Sequence, residues 1–108
     1  MRLTPERFEQ LAESALEGLP ARFKAALGNL EICVQALPGK EAGREKGSSR
    51  LLGLYISGEP ARILLYQRNI ERGCETETEV EEELGITLRH EIGHHFGMGE
   101  AGLRRAGH

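Results

Sequence analysis

The feature that most constrains this chain is a pair of histidines four residues apart, His90 and His94, with an acid at Glu91 directly after the first. On an α-helix, residues four apart are separated by about 40° in azimuth and one turn in height, so both imidazoles can face a single point. Glu91 lies about 100° round from His90 and about 60° from His94, flanking the pair. The spacing is useful only in a helix, so the segment is read as one. With 4 His and 17 acidic residues, all of them Glu, in 108 positions, random order yields His-Glu-x-x-His about 0.02 times. Chance is therefore a poor explanation. The plain alternative is that both histidines are satisfied polar residues on a helix face, with Glu91 in a surface ion pair.

Two imidazoles and a flanking carboxylate suit a metal ion, Zn²⁺ first among the candidates, with Glu91 as general base toward a water in the ion's open position. Zinc that keeps such a position needs a third protein ligand. Gly97 can turn the chain back after the helix, which brings residue 100, Glu100, toward the ion. The expected ligands are His90, His94 and Glu100. Val80, Leu84, Thr87 and Leu88 define an inward face of the same helix that continues near Glu91, whereas Arg89 is expected on the solvent side. An acid and two histidines where an apolar face continues carry a desolvation cost unless a metal, water or partner charge compensates.

The motif helix closes a series of shorter elements. Thr4-Pro5-Glu6 reads as a helix start, and Leu3, Phe8, Leu11, Ala12, Ala15, Leu16 and Leu19 make one apolar stripe over a helix of about residues 5 to 17. Pro20 to Leu27 is expected to add a helical turn. Glu31 to Leu37 alternates as a half-buried strand does. Residues 39 to 50, with three glycines, two serines and six charges, have the composition of a mobile surface loop. Leu51 to Ile56 and Arg62 to Ile70 read as two strands joined by Ser57-Gly58-Glu59-Pro60 in an antiparallel hairpin. A capping box, Thr76 with Glu79 or Thr78 with Glu81, then opens a long helix running to about Phe96.

Length and composition bound the rest. One domain over 1–108 is expected, and 39% hydrophobic residues with 29% charged argue for a folded chain. The net charge of -3 gives no basic surface for nucleic acid, and the short pair Arg104-Arg105 does not change that. No apolar stretch approaches the roughly 20 residues a membrane helix needs. The charged start, Met1-Arg2-Leu3-Thr4-Pro5-Glu6-Arg7, has no signal-peptide core, so a cytoplasmic location is expected. Cys33 and Cys74 are then expected as reduced thiols.

The run His90-Glu91-x-x-His94-x-x-Gly97-x-x-Glu100 resembles the motif of the zincin superfamily, and Gly97 with a ligand position at residue 100 is similar to the metzincin form. Metzincins carry His or Asp where this chain has Glu100, and a downstream Met-turn for which the eight residues after it leave no room; Met98 lies inside the motif. The chain more closely resembles the minimal zincin-like metallopeptidases, small single domains with the motif near the C-terminus. Leu51-Leu52-Gly53-Leu54-Tyr55, Gly58, Pro60 and Arg62 to Ile70 extend the likeness, so it covers roughly residues 50 to 100. It implies an α+β fold in which a three-to-four-stranded mixed sheet packs on an N-terminal helix and the motif helix. It also implies a zinc-dependent peptidase whose peptide or protein substrate is unidentified. In zincins the peptide adds as a strand at a sheet edge, for which Arg62 to Gln67 is the candidate here. Tyr55 and Tyr66 are read as core or sheet aromatics, with oxyanion donation as the sharper alternative, and His95 as a packing or supporting residue, with a ligand role as its alternative. The competing functional reading is a non-catalytic binding or regulatory domain that keeps the fold and the metal.

Overall fold

The structure, a computed structural model, describes residues 1–96. Gly97, Glu100 and the remainder of the C-terminal segment lie outside the described residues. Helix α1 spans Pro5–Glu17 and begins as its sequence predicts: Thr4 Oγ1 accepts from the Arg7 backbone N–H at 3.1 Å, with proline at the first helical position. A short α2 follows at Ala21–Ala25, and then strand β1 at Glu31–Gln35. Strands β2, Gly53–Ile56, and β3, Arg62–Tyr66, form the expected antiparallel hairpin, with Tyr55 opposite Ile63. Helix α3, Gln67–Arg72, leads to α4, Glu77–His95. Of the two possible capping boxes, the chain uses Thr76 with Glu79.

The sheet order is β1-β3-β2, and β1 runs parallel to β3 with Cys33 opposite Leu64. The architecture is α+β, a three-stranded mixed sheet with helices packed on it. Ile63 and Leu65 of β3 join Phe8 and Leu11 of α1, Phe23 of α2, Ile70 of α3, and Val80, Leu84, Leu88 and Ile92 of α4 in one buried cluster. Alternate residues of a strand share a face, so Gly53 and Tyr55 of β2, paired with Leu65 and Ile63, look toward that cluster and α4. No helix among the described residues is long and apolar enough to cross a membrane.

Three expectations are corrected. The third strand stops at Tyr66 rather than Ile70, because Gln67 to Arg72 turns into α3. Gln67 and Glu71, four apart, meet on one helix face, and the Glu71 carboxylate accepts from Gln67 Nε2 at 2.8 Å, the Leu3 backbone N–H at 3.0 Å and Arg68 at 2.8 Å. Burial pushes that carboxyl up, and these donors outweigh burial to leave it below its usual range.

The segment from 39 to 50 is not a featureless loop. It contains 3-10 turns at Lys40–Ala42 and Ser48–Arg50. Its Glu41 carboxylate accepts from the Gly39 backbone N–H at 2.8 Å, Gln35 Nε2 at 2.9 Å and the buried Tyr66 hydroxyl at 2.8 Å. Arg89, third, is half-buried rather than on the solvent side, and its guanidinium lies 5.9 Å from the centre of the Phe23 ring. The α2 turn supplies an aromatic face there that a helical wheel of α4 alone does not include.

Both cysteines are free. Cys74 is buried, its Sγ donating to the Ile70 carbonyl at 3.3 Å, and burial pushes its thiol up.

Candidate metal centre

The three residues of the motif converge. Candidate ligand atoms of His90, Glu91 and His94 all lie within 4.8 Å of one another, and the two imidazoles sit edge to face with centroids 5.0 Å apart. Glu91 is buried and His90 half-buried, with His94 less covered than Glu91. Two imidazole nitrogens drawn this close, with a buried carboxylate beside them, fit a divalent cation of the zinc type held by the two rings. The structure thus brings together His90, Glu91 and His94; Glu100 lies outside the described residues.

The position of this cluster follows from how α4 meets β2. A Cβ added to Gly53 would stand 2.8 Å from Thr87 Cγ2, 3.1 Å from the Leu64 carbonyl oxygen and 3.5 Å from Glu91 Cγ. Only a residue without a side chain permits that approach, which carries the acid of the motif against the sheet. Beside it, Leu51, Leu52, Gly53, Glu83, Ile86 and Thr87 line a cleft of about 240 Å³ that reaches His90 and Glu91. A larger groove of about 430 Å³ between α1 and β1 contains neither histidine, so size alone does not mark the chemistry.

His95 is not a member of the converging group. Its Nδ1 lies 3.0 Å from the Tyr55 hydroxyl, a contact that engages the Tyr55 oxygen. Tyr66 is fully buried and its hydroxyl is bound to Glu41. Burial first, then Glu41 and the charge of Glu91, push that phenol well above its usual range, so Tyr66 stays protonated.

The candidate peptide edge at Arg62 to Gln67 is overturned. Strand β3 is central, paired with β1 on one side and β2 on the other, and α3 begins at Gln67. The strand at the sheet edge beside α4 is β2. Sequence reading singled out neither the contact of Gly53 with α4 nor the Tyr55–His95 bond, which joins residues 40 positions apart. A glycine inside an apolar strand was the one visible trace of the first.

A family model described as zincin-like metallopeptidase matches residues 27–108. No curated protein matches the chain at a significant level.

Proposed function

Since the chain belongs to the zincin-like metallopeptidase family, we propose that it hydrolyses peptide bonds with zinc held by His90, His94 and Glu100 and with Glu91 as general base. The observation that carries this reading is the convergence of His90, Glu91 and His94 within 4.8 Å on one helix. Zinc in such a set supplies Lewis acidity toward the scissile carbonyl and eases deprotonation of water. Glu91 takes a proton from the attacking water as the new C–O bond forms. It returns that proton to the amine nitrogen as the C–N bond breaks. Its burial against Gly53 limits the orientations the carboxylate samples, which serves a base that must meet one water.

The substrate is a peptide or protein segment lying along β2, the edge beside α4, in place of the central strand favoured by sequence reading. Main-chain hydrogen bonds to the β2 edge would hold it, and the cleft lined by Leu52, Ile86 and Thr87 would take one of its side chains.

Glu91→Gln tests the mechanism. The variant is expected to bind zinc as wild type does and to lose peptide hydrolysis, by two orders of magnitude or more at the about 10²–10⁴-fold scale of general base catalysis. Hydrolysis unchanged in this variant would remove Glu91 from the mechanism. Glu100→Ala is expected to weaken zinc binding by orders of magnitude, and an unaltered titration would assign the third ligand elsewhere. Zinc binding by wild type without turnover of any peptide would favour the non-catalytic reading.

A further inference from the structure

His94 lies in the last turn of α4, which ends at the cap residue Phe96. The final turn of a helix has carbonyls without helical partners and frays more readily than its interior, so contacts from other elements bear on how a ligand placed there is ordered.

Two other elements reach this turn. The Tyr55 hydroxyl of β2 lies 3.0 Å from His95 Nδ1, with ring centroids 5.6 Å apart. The ring of Phe23 in α2 stands 5.9 Å from that of Phe96.

The β2 contact matches the helix in spacing. Gly53 and Tyr55, two residues apart, are separated by about 6.8 Å along the strand, and Glu91 and His95, four apart, by about 6 Å along the helix. Strand β2 therefore meets α4 at both ends of one turn, Gly53 against Glu91 and Tyr55 against His95. His94 falls within the turn so bracketed.

We infer that Tyr55 is a positioning residue for the metal centre: through its hydrogen bond to His95 it fixes the rotation and height of the last turn of α4, and so holds the His94 imidazole opposite that of His90 before any ion arrives. This deepens the proposed metal site and rests on it. The bond gives β2 a second hold on the turn, beyond the contact of Gly53 with Glu91. A hydroxyl on a strand is a rigid anchor that adds a contact from the sheet to the hydrogen bonds from the Phe96 N–H to the Ile92 and Gly93 carbonyls within the turn.

The test combines zinc affinity, measured by competition with a chromophoric chelator, with amide hydrogen exchange of the metal-free protein. Tyr55→Phe and His95→Leu are expected to lower zinc affinity about tenfold, the scale of lost ligand support, with the thermal midpoint confirming that both fold. His95→Gln, whose amide offers the Tyr55 hydroxyl a hydrogen-bond partner in either direction, is expected to restore most of the affinity. In the metal-free Tyr55→Phe protein, the amides of His94, His95 and Phe96 should exchange faster while those of Leu84 and Leu88 keep their protection. Zinc affinity equal to wild type in Tyr55→Phe overturns the inference, whatever the exchange shows. Should wild type bind no zinc, the metal reading itself fails; exchange then decides whether Tyr55 fixes the turn, and unchanged exchange overturns that as well.

Discussion

Gly53 and Thr87 meet so closely that a Cβ on the glycine would stand 2.8 Å from the threonine Cγ2. The contact sits where the sheet receives the turn of α4 that carries Glu91, whose Cγ is 3.5 Å from the same point. One absent side chain thus sets the depth at which the motif helix seats on β2.

Gly53→Ala has no easy relief. The methyl would also press on the Leu64 carbonyl oxygen at 3.1 Å, a backbone atom of the central strand. We expect a loss of about 1–3 kcal/mol, the scale of an overpacked core, together with weaker zinc binding as Glu91 and His90 are displaced. Thermal unfolding and a zinc titration check this, and a variant as stable as wild type would show that α4 shifts freely on the sheet.

Glu71 anchors the N-terminal segment. Its carboxylate holds the Leu3 backbone N–H, Gln67 and Arg68 while 2% exposed. Glu71→Ala leaves these donors without their acceptor in a buried setting, a loss of about 3 kcal/mol. Urea unfolding should show it, and the loss should exceed that of Glu77→Ala, whose partner Arg7 is exposed.

Acid should loosen the 39–50 segment through Glu41. The Gly39 backbone N–H first, then the Tyr66 hydroxyl, hold the Glu41 carboxyl down to about 2 from an ordinary 4.5. A carboxyl depressed on folding contributes stability above its unfolded value and loses it as pH falls, here between 4.5 and about 2. NMR titration of the Glu41 carboxyl should give a midpoint near the lower figure, and Glu41→Gln should flatten the acid dependence over that window. A midpoint near 4.5 would mean that the Gly39 and Tyr66 contacts are not made in solution.

Much of this was legible in sequence because it is local. Thr4-Pro5 and the box of Thr76 with Glu79 are start signals whose partners lie within four residues, and the hairpin turn Ser57 to Pro60 is equally short in range. The convergence of His90, Glu91 and His94 follows from helical geometry alone. What escaped depends on distant partners. Residues 67 to 70 continue the strand pattern in sequence, yet Glu71 and the Leu3 backbone favour a helix there. The order β1-β3-β2, which makes Arg62 to Tyr66 central, is written in no single segment. A wheel of α4 places Arg89 in solvent because Phe23, which comes from another element, does not show on it.

Elemental analysis of purified protein tests most directly whether His90 and His94 hold a metal. Wild type and a His90→Ala, His94→Ala double variant would both be incubated with zinc and desalted, with circular dichroism confirming the fold of each. About one zinc per chain in wild type and none in the double variant is the expected result. No zinc in either protein, or equal zinc in both, would contradict it.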